Sequence, residues 1–319
     1  MPTTDQPLVS ILIPAYNCRP WIRRAVESAL NQTWKNCEVI ALDDCSTDGT
    51  DDELKQFADS IHLERSDVRH GQNAARNRLT DLSSGKWLVY LDADDELDAE
   101  SVELKLQFMA EADAIYGSTK IATYIDGPDD DAREVRSEER VAEDYVDLWA
   151  AAFAWKFPNT TAFCFKRRAV IAAGGWNEKI KNCTDYDLYF RLLLNNCRFK
   201  AAPRAWSTYR QWSATQAVNE NPLRKMMTRL QLMFDVVARM KVAGEMTPPR
   251  RSAFFDASLG VLRTIYPMNP SLAIEYHDKL LAECPECRPS KDLFPTRYRL
   301  IYQTIGFSSA ERIAGLMRS

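Results

Sequence analysis

Residues 89–98 read VYLDADDELD, a short apolar run followed by five carboxylates between Asp92 and Asp98. The apolar run predicts a buried strand, and the carboxylates begin where that strand ends. Ionised carboxylates this close together repel one another unless solvent or a cation compensates their charge. The stretch therefore predicts a strand that carries an acidic loop to the surface, to a metal ion, or to both.

Apolar strands and amphipathic helices alternate around this stretch. The predicted elements are strands at 8–14, 38–42, 61–64 and 87–91 and helices at 21–30, 51–58, 73–82 and 99–110. Their spacing of roughly 25 residues predicts right-handed βαβ units and an α/β fold with a mostly parallel sheet flanked by helices. Ligands of such sheets bind beyond the carboxyl ends of the strands. Polar clusters follow three strands, at residues 15–17, 43–44 and 92–95, so we expect them to converge on one site.

The bulk composition excludes several classes of protein. The chain has 319 residues, a net charge of -4 and 45% apolar residues, which is ordinary for a soluble globular protein. The negative charge gives no broad attraction to nucleic acid. No apolar run reaches the roughly 20 residues that span a bilayer, and the N-terminus lacks the basic and apolar regions of a secretory signal. We therefore expect a cytoplasmic protein that binds no nucleic acid.

The alternating pattern stops after Thr215, and helices are predicted at 223–242 and 252–266. We predict an α/β domain at residues 1–215 and a helical C-terminal region at residues 216–319. The last part of this region carries arginines among apolar residues, at Arg297, Arg299, Arg312 and Arg318. Such a segment either packs on its own domain or approaches a membrane surface, and both alternatives stay open.

Two further segments carry no predicted function. Residues 126–139 are highly charged and begin with a turn-like run, which predicts a solvated loop. Cys284 and Cys287 form a lone C-x-x-C without the second pair of ligands that a zinc site needs. The eight cysteines are scattered, so we expect reduced thiols.

Three simpler explanations of the acidic loop are insufficient. A helix cap by Asp95 or Asp98 uses one or two of the five carboxylates. A calcium-binding EF-hand needs glycine at the sixth position of its loop, where this chain has Leu97. A phosphatase of the haloacid dehalogenase type places its Asp-x-Asp motif after the first strand, not after a later one. A divalent cation that binds one or two carboxylates together with substrate phosphates fits best.

Six motifs occur in the order used by one enzyme family. They lie at residues 9–17 (VSILIPAYN), 31–34 (NQTW), 43–50 (DDCSTDGT), 71–77 (GQNAARN), 91–95 (LDADD) and 174–187 (containing GGWNE and TDYD). Through these motifs the chain resembles the family 2 glycosyltransferases of the GT-A fold. The resemblance implies a Rossmann-like, nucleotide-sugar-binding catalytic domain at residues 1–215 and an inverting, non-processive transfer. It leaves residues 216–319 for acceptor binding, oligomer formation or membrane contact.

The resemblance assigns donor binding to residues that follow the strands. They are Pro14, Ala15, Tyr16, Asn17, Asp44, Arg76, Asp92, Ala93 and Arg210. Tyr16 would stack on the nucleotide base, at a gain of about 1–3 kcal/mol, and Asp44 would accept the N3–H of uracil or thymine. Asp92 would reach the ribose, and Arg76 would face the nucleotide or the carboxylates. Arg210 would pair with phosphate.

The resemblance also implies a metal ligand and a catalytic base. Asp94 would bind Mn²⁺ or Mg²⁺ that bridges the donor diphosphate. Asp185 would take the proton of the acceptor hydroxyl as its oxygen attacks the anomeric carbon. Thr184 stands where the family has Glu, which draws attention to nearby Asp187, although on a helix the two aspartates would point in different directions. Local structural roles are expected for Asp43, Asp95 and Asp98.

Together these residues predict a metal-dependent glycosyltransferase that moves one sugar from a nucleotide-sugar, foremost a UDP-sugar, to a hydroxyl of a glycan or lipid-linked acceptor. A nucleotidyltransferase is one alternative, but residues 14–17 are not the glycine-rich, basic phosphate loop that it would use. A catalytically inactive protein that only binds nucleotide or sugar is the other. A lipid-linked acceptor would bring the protein to the inner face of the membrane.

Overall fold

The computed structural model describes residues 6–125, 133–212 and 221–316. Its strands are β1 Val9–Ala15, β2 Cys37–Asp43, β3 His62–Arg65, β4 Trp87–Tyr90, β5 Glu96–Leu97, β6 Ala114–Ile125, β7 Arg133–Arg140, β8 Phe163–Lys166 and β9 Phe199–Trp212. Its helices are α1 Arg19–Leu30, α2 Thr50–Lys55, α3 Gln72–Leu82, α4 Ser101–Leu106, α5 Leu148–Phe153, α6 Arg167–Ala172, α7 Thr184–Leu194, α8 Pro222–Val242, α9 Pro248–Ile265, α10 Pro270–Glu283 and α11 Thr296–Leu316. Each strand and helix predicted in the first 110 residues is present, with ends that differ by a few residues.

The strands form a nine-stranded sheet in the order β3-β2-β1-β4-β8-β6-β9-β5, with β7 paired to β6. This confirms the predicted α/β class. Strands β1 to β4 run parallel, as the βαβ spacing predicts. Strand β8 runs antiparallel to both of its neighbours, β4 and β6. The sheet is therefore parallel where strands and helices alternate in sequence and mixed beyond β4.

The centre of the sheet is formed by residues that are apolar on both of its faces. All seven residues of β1 are buried, as expected for a strand with helices on both sides. Helix α1 buries Ile22, Ala25, Val26 and Ala29, which share one helical face. This burial holds the carboxyl end of β1, where the polar residues begin, in a rigid setting.

Residues 133–139 are not the solvated loop that their charge predicts. They form most of β7, which pairs antiparallel with β6. The strand lies at an edge of the sheet, and its charges pair along the strand, as between Glu138 and Arg140 at 2.8 Å. Charged side chains on an edge strand oppose pairing with further strands, so high charge and strand structure are compatible here. The rest of the predicted loop, residues 126–132, lies outside the described residues.

The chain divides into two compact units. The first unit comprises Met1–Tyr145 and Pro158–Ala217, and the second comprises Val146–Phe157 and Val218–Ser319. The second unit is helical, and Phe153 of α5 packs edge-on against Phe254 of α9 with ring centres 5.6 Å apart. The boundary predicted near residue 215 lies among residues 213–220, outside the described ranges. No helix within the described ranges combines the length and the apolar composition needed to cross a bilayer.

Candidate active site

The polar clusters predicted at three strand ends meet at one edge of the sheet. Strand β1 pairs in parallel with β2, with Ala15 opposite Asp43, and with β4 on its other side. The residues that follow these three strands therefore leave the sheet side by side. Pro14, Ala15 and Ala93 are buried, so they can offer a ligand little more than their backbone groups.

Tyr16 presents the aromatic surface that a nucleotide base would need. It is 38% exposed, and the guanidinium of Arg69 lies 3.9 Å from its ring centre. Asn17 shapes the loop instead, with a φ of 46°. Its backbone N–H donates to Ser46 Oγ, and its Oδ1 accepts from the N–H of Thr47, both at 2.9 Å. Asn17 therefore joins the loops that follow β1 and β2.

Asp44 is engaged by the protein itself. It is 3% exposed, its Oδ1 accepts from the backbone N–H of His70 at 2.9 Å, and its Oδ2 accepts from that of Gly71 at 2.7 Å. These bonds hold the loop that leads into α3. A carboxylate oxygen can accept a second hydrogen bond, so a contact with a base would add to them. Asp43 is fully buried, with Oδ2 3.6 Å from Arg65 Nε, in keeping with a structural role.

Arg76 and Asp92 form an ion pair at the base of the site. Arg76 is 2% exposed, and its Nη2 donates to Asp92 Oδ1 at 2.6 Å. Gln72, one turn earlier in α3, donates to the same oxygen at 3.3 Å. The guanidinium also lies 4.3 Å from the ring centre of Trp176. A buried guanidinium is costly without a partner, so Arg76 and Asp92 depend on each other for position.

Asp95 connects the acidic loop to two other segments. Its Oδ2 accepts from Asn159 Nδ2 at 3.0 Å and from Thr161 Oγ1 at 2.6 Å. Its Oδ1 accepts from the backbone N–H of Arg210 at 3.0 Å. Burial raises the pKa of this carboxyl well above its usual range, and the charge of Asp94 raises it further. Asp95 therefore serves as a structural anchor of the loop.

The helix cap by Asp95 or Asp98, considered above as an explanation of the acidic loop, is not formed. Helix α4 begins at Ser101 without a side-chain cap from the residue before it. The N–H of Val102 instead donates to Oε1 of Gln32 at 3.1 Å, and Nε2 of Gln32 donates to the carbonyl of Asp98 at 3.0 Å. One buried amide, distant in sequence, thus supplies the cap and holds the acidic loop.

Arg210 holds the backbone of the acidic loop. It is 5% exposed, and its Nη1 donates to the carbonyl of Asp94 at 3.2 Å. Its Nη2 forms an ion pair with Glu96. Because Glu96 compensates the guanidinium, the phosphate contact predicted for Arg210 would require it to exchange or share this partner. The carboxylate of Asp94 is half-buried beside them.

Asp185, at the start of α7, belongs to the same electrostatic environment as the acidic loop. Burial raises the pKa of its carboxyl, the positive charge of Arg76 opposes this, and the negative charge of Asp92 adds to it. Burial also raises the pKa of the Tyr209 hydroxyl, and four carboxylates raise it further. Those carboxylates belong to Asp95, Asp94, Asp92 and Asp185. The fold thus gathers the predicted base and the predicted metal ligand around Tyr209.

Asp187 stabilises the fold. It is 6% exposed, and its Oδ2 accepts from Nε of Arg191, one turn later in α7, at 2.9 Å. Arg191 also donates to the carbonyls of Ala173 and Gly175, at 2.5 and 2.6 Å. The pair therefore fastens α7 to the glycine-rich turn that precedes it.

Two asparagines of α3 bind that same turn. Asn73 Nδ2 donates to the carbonyl of Asn177 at 2.7 Å. Asn77 exchanges two hydrogen bonds with the backbone of Trp176, at 2.7 and 2.9 Å. Gly175 has a φ of 66°, and a Cβ at this position would lie 2.7 Å from Oδ1 of Asn77. The GQNAARN and GGWNE motifs, far apart in sequence, are therefore two halves of one contact.

This arrangement can be compared with known proteins. The family model described as glycosyl transferase family 2 matches residues 10–173, just over half of the chain. The chain belongs to glycosyl transferase family 2. The GT-A resemblance drawn from the motifs is thereby confirmed at the level of the family.

Two curated relatives show how far the similarity extends. The Escherichia coli protein named UDP-Glc:alpha-D-GlcNAc-diphosphoundecaprenol beta-1,3-glucosyltransferase WfaP is 41% identical over 103 residues, which are 32% of this chain and 41% of WfaP. Chondroitin synthase of Pasteurella multocida (strain Pm70) is 34% identical over 198 residues, 58% of this chain and 19% of that protein. The alignments thus cover less than half of each relative's own length.

A solved structure shares the fold. S. aureus TarS 1–349, crystallised in complex with UDP-GlcNAc, matches with a TM-score of 0.62 at 16% sequence identity. The match covers 86% of this chain and 79% of the TarS chain. At this identity the likeness shows the common fold.

The carboxylates of this family 2 chain do not by themselves complete a metal site within the described ranges. Within the described ranges, no group of three or more His, Cys, Asp or Glu side chains is placed to hold a metal ion. Asp95 is occupied by three hydrogen bonds, and Asp92 is paired with Arg76. Mn²⁺ or Mg²⁺ bound by Asp94 and completed by substrate phosphates and water fits such a set, since Mg²⁺ usually takes only one or two protein carboxylates. A metal held by protein ligands alone does not fit.

Sequence reasoning missed several residues of the site. Arg69 covers Tyr16, but an arginine in a polar loop carries no distinguishing signal. Tyr209 is influenced by the charges of the carboxylates, and the available signal was its position beside Arg210, to which the resemblance assigns phosphate binding. Thr161 and Asn159 bind Asp95 from a 3₁₀ turn that follows the second unit's α5, and only the tertiary structure brings them to the site.

Proposed function

We propose that this chain is an inverting, metal-dependent, non-processive glycosyltransferase that moves one sugar from a UDP-sugar to a hydroxyl of a glycan or lipid-linked acceptor. The observation that carries the proposal is that the acidic residues after β4, Asp92 and Asp94, leave the sheet beside the ends of β1 and β2. The charges of Asp92 and Asp94 act on Tyr209 together with that of Asp185. Ligands of α/β sheets bind beyond the carboxyl ends of the strands. The names of WfaP and chondroitin synthase support a lipid-linked or glycan acceptor.

The donor would lie across the ends of β1, β2 and β4. Its base would stack on Tyr16, with Asp44 accepting the base N3–H alongside its two loop contacts. Arg76 holds one oxygen of Asp92 and leaves the other available to the ribose. A divalent cation at Asp94 would neutralise the charge that develops on the leaving diphosphate.

Asp185 would act as the general base. Its raised pKa makes it a stronger proton acceptor than an ordinary carboxylate, and a base works best when its pKa approaches the working pH. It would take the proton of the acceptor hydroxyl while the oxygen attacks the anomeric carbon. Attack from the face opposite the diphosphate inverts that carbon. The positive charge of Arg76 opposes this rise in pKa and favours the ionised carboxylate that a base needs.

The first test is calorimetric titration of UDP, with and without Mn²⁺, into the wild type, Asp94→Ala and Asp98→Ala. Asp98 belongs to the same loop and is exposed, so its variant controls for the loss of one charge. We expect Mn²⁺ to strengthen UDP binding to the wild type and to Asp98→Ala, but not to Asp94→Ala. Absence of UDP binding to the wild type would refute the donor-site proposal.

A second assay separates an enzyme from an inactive binding protein. Slow hydrolysis of a bound UDP-sugar by water needs a working site, so we expect it in the wild type and its loss in Asp185→Asn. UDP binding without any hydrolysis or transfer over a panel of UDP-sugars would favour the inactive alternative.

A lipid-linked acceptor would be met at a membrane surface, and we propose the outer face of α11 as the contact. Leu300 and Ile305 of α11 are 57% and 56% exposed, and Leu293 just before the helix is 62% exposed. Arg297, in the first turn of α11, is also exposed. Exposed apolar and basic side chains together favour an anionic interface.

A further inference from the structure

A cavity lies at the end of the sheet where β1 and β4 begin, opposite the proposed donor site. It has a volume of about 620 Å³ and is lined by residues that precede β1, begin β4 and join β8 to α6. Pro7 before β1 lines this cavity, whereas Tyr16 follows β1. Seven strand residues span about 23 Å at roughly 3.3 Å each, so the two sites are separate.

The lining of this cavity is basic. It includes Lys86, Lys166, Arg167 and Arg168 and no acidic residue from the described part of the chain. The carboxylate of Asp113, beside the cavity, is shared among three cations. It lies 3.0 Å from Lys166, 3.7 Å from Arg168 and 3.6 Å from Arg198. Lys86 is exposed and makes no ion pair with any residue that the structure describes.

These charges do not cancel. Lys166, Arg168 and Arg198 share the carboxylate of Asp113, whereas Lys86 and Arg167 pair with no carboxylate of the described residues. Glu38 also lies beside the cavity, where it accepts from the backbone N–H groups of Ser84 and Gly85 at 2.7 and 3.0 Å, so five cations face two carboxylates. Like charges this close destabilise one another unless an anion or solvent compensates them. This local excess of positive charge contrasts with the net charge of -4 of the whole chain.

The cavity also has an apolar wall and fixed cations. Trp87 lies in this wall, and Lys166 Nζ is 5.4 Å from the indole ring centre. Ile171 is 51% exposed at the rim. Arg167 is held by hydrogen bonds to Ser83 Oγ at 3.3 Å and to the carbonyl of Thr80 at 3.2 Å. A ligand would therefore meet a partly preorganised cation beside exposed apolar surface.

We propose that this cavity binds a phosphate group that carries an apolar chain. A phosphate offers up to two charges and three acceptor oxygens, which matches cations that outnumber the nearby carboxylates. Lysine and arginine bind phosphate through charge-assisted hydrogen bonds. The apolar chain would cover Ile171 and the half-buried Met109, whereas Trp87 is already buried behind them. The volume lies within the range of small-molecule sites, about 300–1,000 Å³.

The test is calorimetric titration of hexyl phosphate, inorganic phosphate and 1-hexanol into the full chain without divalent metal. The variant is Lys86→Ala/Arg168→Ala, since both side chains are exposed and their loss leaves the core intact. The matched control is Arg136→Ala/Arg140→Ala, which removes two exposed charges from β7 of the same unit. Asp94→Ala reports any binding at the proposed donor site.

We expect hexyl phosphate to bind at least about tenfold more tightly than either inorganic phosphate or hexanol, because both parts of the ligand contribute. The Lys86/Arg168 variant should lose at least about tenfold in affinity, and the control and Asp94→Ala should retain it. No binding of hexyl phosphate up to about 10 mM, or equal affinity in the Lys86/Arg168 variant and the wild type, would overturn the proposal.

Vesicles identify the source of the phosphate. Sedimentation with phosphatidylglycerol vesicles but not with phosphatidylcholine vesicles, lost in the Lys86/Arg168 variant, would assign the cavity to a membrane phospholipid. Binding of hexyl phosphate, with vesicle sedimentation that is absent or that the Lys86/Arg168 substitutions leave unchanged, would assign it to a soluble organic phosphate. Either result supports the same chemistry at the cavity.

Discussion

Asp185 shows how tertiary contacts tune a single carboxylate. It is brought beside Arg76 and Asp92, whose charges act on it in opposite directions, while burial raises its pKa. The net rise in the pKa of Asp185 suits a group that must bind a proton during the reaction and release it afterwards. Asp187, two residues later, is instead neutralised by Arg191. If Asp185 is the base proposed above, the same residue type serves two roles within one helical turn.

Asp185→Asn should abolish transfer and leave donor binding intact. General-base catalysis contributes about 10²–10⁴-fold, so we expect the rate to fall by that factor with an unchanged dissociation constant for UDP. In the wild type, activity should fall as the pH is lowered through the raised pKa of Asp185, since the protonated carboxyl cannot accept the proton. Initial rates from pH 4 to 8 would show this limb. Asp187→Asn controls for charge and should mainly lower the melting temperature.

Lys105 is a buried cation outside the site. It is fully buried, and its Nζ donates to Ser101 Oγ at 3.0 Å. Burial lowers the pKa of this amine from 10.5 to about 8. Between these two values the unfolded chain binds the proton and the folded chain does not, so the free energy of unfolding should rise with pH in this window.

Lys105→Met should stabilise the protein at neutral pH. It removes a buried charge at a similar side-chain volume, and we expect a gain of the order of 1–3 kcal/mol in the free energy of unfolding. Urea denaturation at pH 7 and pH 10 is the measurement. The rise in the free energy of unfolding that we expect for the wild type between pH 8 and 10 should be absent from the variant. A variant less stable than the wild type at pH 7 would show that the ammonium is compensated.

At the scale of the element, Gln32 determines how the acidic loop continues into α4. Its amide satisfies the N–H of Val102 and the carbonyl of Asp98, and it is 2% exposed. Gln32→Ala leaves both groups without that partner, which should cost about 1–3 kcal/mol. Asn31→Ala is the matched control, since Asn31 is exposed and should change stability by less than about 0.5 kcal/mol. Thermal unfolding would measure the loss of stability, and amide hydrogen exchange of Val102 would show where it occurs.

Helix α11 carries the prediction about membrane contact. Leu300→Glu/Ile305→Glu should reduce sedimentation with phosphatidylglycerol vesicles by about tenfold or more, because two apolar side chains would no longer enter the interface. Val146→Glu/Val242→Glu is the matched control, since both valines are exposed in the same unit. Equal sedimentation of the two variants and the wild type would exclude the outer face of α11 as the contact.

At the scale of the whole molecule, nucleotide, metal and stability should be linked. UDP at about a hundred times its dissociation constant stabilises a folded protein by about 2.7 kcal/mol, which moves the midpoint by several degrees. We expect this shift with Mn²⁺ and its reduction by EDTA, because in the proposed site the cation would join Asp94 to the diphosphate. A UDP shift that EDTA leaves unchanged would point to metal-independent binding.

The amino-acid sequence by itself determined the elements of the parallel half of the sheet. Strands β1, β2 and β4 follow from short apolar runs because they are buried along most of their length, and helix α1 follows from apolar residues that recur at helical spacing on one buried face. The polar residues at the ends of these strands followed from the same reasoning, since parallel strands end at one edge. The motifs were sufficient to indicate the family.

Only the tertiary structure decided what several of these polar residues do. Asp44 binds the loop at Gly71, Asp95 binds Thr161, and the cap of α4 comes from Gln32. Residues 133–139 form a strand because β6 offers an edge, although their charge alone favours a loop. The contacts of Asp44, Asp95 and Gln32 depend on partners far apart in sequence, and β7 depends on pairing with the strand before it. Local periodicity reports only whether a residue is buried, not which group it meets.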